Sequence, residues 1–279
     1  MNRNVLIAGG GIAGMAAGFA AARAGWGATV FERAAEFSEV GAGVQLGPNV
    51  TRILNAWGLG DALAQVAAFP EGLHARSMTT GEVLATLPLK DADTIYGAPY
   101  VTVHRADLHG LLLQAALREG VQVHSDAVVQ RLAQMPDAVT IDVMQGGQSQ
   151  QHRAAMAVAA DGVWSPLRQQ LLRDGLPMFT GHMAYRALVA QADLPAHLRS
   201  QDVTVWMGSY AHVVSYPVRG GDYLNVVCLA EGRLLDDDAN NLHALQTWHV
   251  QKSEAQTLLE LHHALRGACT ALTDLMNAC

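Results

Sequence analysis

Charge is scarce in this sequence. Its 279 residues include 18 lysines and arginines against 25 acidic residues, for a formal net charge of -7, and there is no basic run. A chain so poor in clustered positive charge has little electrostatic grip on a nucleic-acid backbone or an anionic bilayer, so neither is an expected partner. Cysteine is scarcer still. Cys228, Cys269 and Cys279 are an odd, scattered set without C-x-x-C spacing, which excludes a disulfide framework or a zinc knuckle and fits a reducing compartment. The histidines include no H-E-x-x-H, and His262 and His263 diverge on a helix, so no metal site is expected. Internal repeats and low-complexity segments are also lacking. Apolar residues are plentiful. Half of the chain is hydrophobic, enough at this length for the well-buried core of one large domain or two.

Glycine is concentrated near the start. Val5, Leu6, Ile7 and Ala8 form a short apolar run suited to a buried parallel strand. Gly9, Gly11 and Gly14 follow as G-x-G-x-x-G. In that pattern the first glycine allows the tight turn, the second lets backbone approach a pyrophosphate, and the third lets the next helix pack closely on the sheet. Ala28 to Phe31 reads as a second strand, and Glu32 ends it where a ribose-binding carboxylate is expected. A carboxylate accepts from ribose hydroxyls and repels a 2′-phosphate, so the ligand is the ADP half of FAD or NAD with its pyrophosphate at a helix N-terminus. The uncharged stretch from Val5 to Ala22 after Arg3 also suits a signal peptide or a membrane helix. Gly9, Gly10, Gly11, Gly14 and Gly18, followed by a matching Glu32, count against both, and a cytoplasmic location is expected.

Further on, a glycine-dense loop from Val40 to Asn49 precedes a helix from Pro48 to about Trp57, with proline in its first turn. Leu73 to Leu87 reads as a hairpin turning at Thr80 and Gly81, outside the nucleotide core. Val101–His104 is a strand, and Arg105 opens a helix running to about Glu119 with Gly120 as its cap. Strand-like runs follow at Val121–His124, Val139–Val143 and Ala154–Ala160. Asp161 and Gly162 end the last, and Ser165-Pro166 starts a helix containing Arg168. Beyond Met178, the runs Ala184–Ala190, Val203–Met207, His212–Val218 and Tyr223–Leu229 read as an antiparallel sheet, the last pair joined at Gly220-Gly221-Asp222. Asp236 to Asp238 reads as a solvated loop, and the chain from about Leu242 as helical.

These segments, in this order, resemble the single-component FAD-dependent aromatic hydroxylases, the class A flavoprotein monooxygenases that include salicylate hydroxylase and 3-hydroxybenzoate 6-hydroxylase. The resemblance runs from about Asn4 to Leu229. It is carried by the GGGIAG fingerprint with Phe31-Glu32-Arg33, the loop from Val40 to Asn49, the HRADLH segment His104–His109, and Ala160-Asp161-Gly162-Val163-Trp164-Ser165 with Arg168. It implies an α/β fold: a Rossmann-type FAD-binding domain over residues 1–175, with a β-hairpin excursion at about 70–100, then a mixed, largely antiparallel β-sheet substrate domain over 176–279, incomplete at its C-terminus. The cofactor-holding set it implies is Gly9, Gly11, Ile12, Ala13, Gly14, Glu32, Arg33, Gln45, Arg105, Asp161 and Gly162. Arg105 would contact FAD. The Asp161-Gly162 segment would serve both FAD and a transiently docked NAD(P)H, with Asp161 orienting main-chain donors instead of meeting phosphate directly.

The resemblance also implies a reaction. His212 and Tyr216, at even spacing on one strand face, match positions that bind and deprotonate a phenol. A free phenol has a pKa near ~10, so a poised base is needed to present phenolate at neutral pH. Phenolate would attack a flavin C4a-hydroperoxide formed from O2, inside a dry pocket. From the residues alone, His212 reads more readily as a satisfied half-buried strand histidine, and only the resemblance puts the two readings level. Gln45 and Tyr185 are further pocket candidates, and Arg186 is either a fork donor for a substrate carboxylate or half of an internal ion pair. The partners implied are a small aromatic substrate and O2, and a homodimer is left open.

Two departures bear on activity. The family's second flavin motif, Gly-Asp-Ala-Ala-His-Pro, is lacking: Gly60-Asp61 and Gly221-Asp222 are followed by other residues. The chain also ends at Cys279, roughly a hundred residues short of what a complete member needs, which suggests a fragment, a shortened homologue or a chain completed by a partner. The rival expectations are a nucleotide-binding homologue without catalysis and a flavoprotein acting on a ring other than a benzoate.

Overall fold

The computed structural model describes residues 3–37, 42–232 and 254–279. The loop at Asp236–Asp238 and the start of the helical segment at Leu242 lie outside them. The described chain divides into two compact units, residues 1–40 with 106–178, and residues 41–105 with 179–279. This cut differs from the one read along the sequence, because residues 41–105 pack with the later half of the chain.

The first unit is built on β1 (Asn4–Ala8), whose last four residues are buried. Helix α1 (Ile12–Arg23) leads to β2 (Gly27–Phe31), and helix α5 (Arg105–Arg118) leads to β8 (Gln122–His124). With β12 (Met156–Ala159) these strands form a parallel sheet in the order β12-β1-β2-β8. Such a sheet is covered on both faces, which is why β1 reads as an unbroken apolar run. On one face Gly18 of α1 lies against Ile7, Val30 and Val121. On the other, Leu6, Ala8 and Phe31 pack with Ile141, Val143 and Leu167, supplied by the antiparallel meander β9 (Ala127–Gln134), β10 (Val139–Gln145) and β11 (Gln148–Ala154) and by α6 (Pro166–Leu172). Of the meander, only β10 is announced by the sequence. Ser165 caps α6, its hydroxyl accepting from Arg168 N–H at 2.8 Å.

The second unit carries a six-stranded sheet and a smaller one. The small sheet, in the order β3-β7-β4, joins β3 (Gly43–Leu46), β4 (Ala67–Ala68) and β7 (Val101–His104). Helices α2 (Pro48–Ala56), α3 (Gly60–Ala64) and α4 (Ala92–Tyr96) fill its connections. The large sheet runs β13 (His182–Ala190), β16 (Tyr223–Glu231), β15 (Ala211–Val218), β14 (Val203–Met207), β5 (Gly72–Ser77) and β6 (Val83–Pro88). It is not wholly antiparallel, as the four late strands suggest. The hairpin β5–β6 joins its edge through a parallel β14–β5 pair. Asp202, just before β14, ties the two strand starts together: its carboxylate accepts from the N–H groups of Glu71 and Gly72 at 2.9 and 3.0 Å and bonds His74 Nε2 at 3.0 Å.

Strand alternation gives this sheet two different faces. Val213, Leu224, Val226 and Cys228 pack with Leu272 and Leu275 of α8 (Thr270–Asn277), with α7 (Glu254–Ala264) before it. Burial pushes the Cys228 thiol up to about 11. The opposite face carries Val203, Tyr216 and Val218 with Leu89. Among the described residues no helix is long and apolar enough to cross a membrane. Leu272 is fully buried, and Leu272→Ala is expected to destabilise the second unit by about 2–5 kcal/mol, read as an earlier urea transition. An unchanged transition would mean that α8 contributes nothing to the sheet's stability.

Candidate functional site

The parallel strands of the first unit end in one row. Ala8 is in register with Ala159 and with Phe31, so Gly9, Ala160 and Glu32 emerge side by side at the carboxyl edge, where open α/β sheets bind their ligands. Gly9 has φ +99°, and a Cβ there would meet the Ala160 carbonyl oxygen at 2.3 Å. A Cβ at Gly14 would meet the Gly9 carbonyl oxygen at 1.8 Å. Only glycine permits so tight a corner between strand and helix.

The start of α1 is left as a set of backbone donors. Gly11 is its N-cap, no side chain caps it, and no acid lies in its first turn. A Cβ at Gly11 would meet nothing within 4 Å, so this end of the helix borders open space. Glu32 turns into the same corner: Oε2 accepts from Gly10 N–H at 2.6 Å and Oε1 from Ala34 N–H at 2.9 Å. Uncapped N–H groups with an adjacent fixed carboxylate suit a diphosphate followed by a ribose. The residues present therefore fit an adenine dinucleotide such as FAD.

The other expected cofactor residues fall as follows. Ile12 and Ala13 sit in the open first turn, and Arg33 is exposed beyond Glu32. Asp161 follows Ala160, beside Gly9, and its Oδ2 accepts from Leu167 N–H at 3.3 Å. Gly162 has φ +86° with open space beside it. Gln45 and Arg105 belong to the second unit. Gln45 Oε1 accepts from the Tyr100 hydroxyl, and Arg105 N–H donates to Ala42 at 2.9 Å.

In the second unit, His212, Val214, Tyr216 and Val218 share one face of β15, and the register extends it across the sheet. His212 lies level with Leu229 and Met207, Val214 with Val227 and Val205, and Tyr216 with Asn225. Arg186, level with Val227, joins from β13. His212 is exposed and Tyr216 is buried. Four residues at a rise of about 3.3 Å separate their Cα atoms by roughly 13 Å, so the pair brackets a stretch of apolar sheet without the two side chains touching. Burial pushes the Tyr216 hydroxyl up to about 12, the nearby Tyr100 hydroxyl adds to this, and Arg186 opposes it. Tyr216 is thus a neutral donor and acceptor at neutral pH.

Tyr185 is not a pocket residue. It is level with Cys228 and packs into the helix-covered side of the sheet, where its hydroxyl donates to Glu260 and its ionisation is pushed far up by burial and that carboxylate. Sequence reasoning also missed Asn225. This residue is fully buried, its Oδ1 accepts from Gly43 N–H at 2.8 Å, and its Nδ2 finds no acceptor among the described residues. Gly43 lies against it and the Tyr216 ring, since a Cβ there would meet Tyr216 Cε2 at 2.5 Å and Asn225 Cγ at 3.0 Å. The available signal was one amide in the otherwise apolar Leu224–Ala230 stretch.

Comparison with known proteins agrees with this geometry. Residues 2–255 match the FAD binding domain family model, and the chain belongs to that family. FAD is accordingly the cofactor, and the fold is that of FAD-binding monooxygenases. The 3-hydroxybenzoate 6-hydroxylase 1 of Aquipseudomonas alcaligenes is 36% identical over 241 residues, covering 86% of this chain and 60% of the relative. A 3-amino-4-hydroxybenzoate 2-monooxygenase of Streptomyces platensis is 39% identical over 215 residues, 77% of this chain and 53% of the relative. Among solved structures, Klebsiella pneumoniae HpxO complexed with FAD and uric acid superposes with a TM-score of 0.79 at 20% identity, over 99% of this chain and 65% of that one. A salicylate hydroxylase substrate complex gives 0.73 at 22% identity, over 99% and 66%. The chain spans about 60% of the length of the curated relatives it matches.

Two measurements test the site. Gly14→Ala is expected to reduce FAD retention on gel filtration, since overpacking of this kind costs about 1–3 kcal/mol; unchanged retention would mean that the corner yields. For Tyr216, the 295 nm absorbance difference between the wild type and Tyr216→Phe should stay flat through pH 10 and rise only towards pH 12. A rise centred near the ordinary tyrosine value of about 10 would mean an open, hydrated ring.

Proposed function

We propose that the protein is an FAD-dependent monooxygenase that uses NAD(P)H and O2 to hydroxylate a small phenolic acid. The observation that carries this reading is the uncapped glycine corner with Glu32 beside it. Support for the substrate class comes from the half-open face bearing Tyr216, His212 and Arg186 and from the hydroxybenzoate enzymes among the relatives.

The overall reaction balances as phenol + O2 + NAD(P)H + H⁺ giving hydroxylated phenol + H2O + NAD(P)⁺. Bound FAD supplies the electron transfer and the activation of oxygen. The chain's own residues do the rest. The first-turn N–H groups of α1 hold the diphosphate, and Glu32 accepts from the ribose hydroxyls. Arg186 offers a fork of donors to the substrate carboxylate. Tyr216, neutral at working pH, hydrogen-bonds the ring's oxygen substituent, and His212 takes the phenolic proton at Nδ1 or Nε2, because a phenol of pKa about 10 is otherwise almost wholly protonated. Val205, Val214 and Val227 between them give the ring an apolar floor. A cytoplasmic location fits this reading, supported by the three unpaired cysteines, and a homodimer is compatible with it.

The purified protein should be yellow, and 3-hydroxybenzoate should stimulate its NAD(P)H oxidation with formation of a dihydroxybenzoate. His212→Ala should lower the hydroxylation rate by about 10²–10⁴-fold while leaving FAD bound, the range expected for loss of a general base. Tight FAD or ADP binding with no stimulation by any hydroxybenzoate or related ring would instead select the non-catalytic nucleotide-binding reading. Failure to bind either FAD or ADP would overturn both.

A further inference from the structure

One buried histidine has no part in the reading above. His109 lies on α5 at 3% exposure, and its Nε2 is 2.7 Å from the carbonyl oxygen of Gly10. A carbonyl only accepts, so Nε2 carries the proton and donates. The Phe37 ring lies against the imidazole at 4.9 Å between centroids. Gly10 is held from its other side as well, by Glu32 at its N–H. The two groups grip successive peptide planes: Glu32 takes the N–H of the Gly9–Gly10 peptide, and His109 the carbonyl of the Gly10–Gly11 peptide.

Planarity then fixes the next donor. The described chain has no cis peptide, and in a trans peptide the carbonyl and the N–H point to opposite sides. By fastening the Gly10 carbonyl, His109 turns the Gly11 N–H away from itself. Among the described residues nothing accepts from that N–H, and Gly11 borders open space. We propose that His109 is a cofactor-positioning residue: with Glu32 it clamps the Gly10 backbone so that the Gly11 N–H is pre-aimed at the dinucleotide's diphosphate. Held this way, the donor needs no ordering when the ligand arrives, and preorganised groups of this kind raise affinity by lowering the cost of binding. This inference rests on the corner being the FAD site.

The test compares His109→Leu, which keeps bulk and loses the donor, with His109→Gln, whose side-chain N–H₂ reaches the position of Nε2. FAD and ADP are titrated into each apo chain by calorimetry. His109→Leu should weaken both ligands by about two- to tenfold, the worth of one buried hydrogen bond, and His109→Gln should recover most of the loss. Equal binding by wild type and His109→Leu, or equal loss in both variants, would overturn the clamp while leaving the FAD reading intact. A wild type that binds neither FAD nor ADP would overturn that reading, and the clamp with it. Because His109→Leu disturbs a buried site, the imidazole of the wild-type apo chain is also examined by long-range ¹H–¹⁵N correlation. A protonated Nε2 protected from exchange is expected, and an unprotonated Nε2 would overturn the proposal without recourse to any variant.

Discussion

The contact on which the first unit depends is between two pieces of backbone. The Gly9 carbonyl sits where a side chain at residue 14 would begin, and the Ala160 carbonyl sits where one at residue 9 would begin. Strand β1, helix α1 and the end of β12 are thereby drawn to one corner with no side chain between them. Close packing of this kind places main-chain donors at the sheet's carboxyl edge, and the helix start stays uncapped because no side chain is available there to cap it. The anion-binding character of the corner is thus a by-product of its packing, and Glu32 and His109 refine its direction.

That corner was legible in the sequence because its causes are local. Apolar β1, the glycine spacing and Glu32 lie within about thirty residues, and each states its own geometry. The strands that escaped notice lacked such a signal. β11, QSQQHRA, is polar, exposed along most of its length, and made a strand only by pairing with β10. β9 alternates imperfectly, and its residues Val129 and Leu132 become interpretable only against Ile141 and Val143.

Long-range partnerships were less legible. Residues 198–202 give no hint that Asp202 will fasten the start of β5, some 130 residues earlier, so the parallel β14–β5 pair could not be read. Tyr185 and Arg186 show the limit at one residue's resolution. As neighbours on a strand they must face opposite sides, but which side is covered by helices is decided by Leu272 and Leu275, far along the chain. Reading both as pocket candidates therefore had to fail for one of them. Asn225 and His109 escaped for a related reason: each bonds a backbone group distant in sequence, Gly43 and Gly10, and nothing in residue type distinguishes such an anchor from an ordinary buried polar side chain.

Environment also separates the two residues proposed to handle the substrate. His212 and Tyr216 lie on one strand face, but the sheet buries one and leaves the other in contact with water. Burial penalises the tyrosinate, so Tyr216 keeps its proton across the physiological range and can only orient an oxygen. His212, by contrast, is exposed. The role proposed for His212 therefore sits at the open end of this face, and the one proposed for Tyr216 at its closed end, where Gly43 lies against the ring. Exchanging the two side chains would keep their spacing and lose the division of labour, because a histidine in the closed position would be desolvated towards its neutral form and a tyrosine in the open one would lose the packing that fixes its hydroxyl.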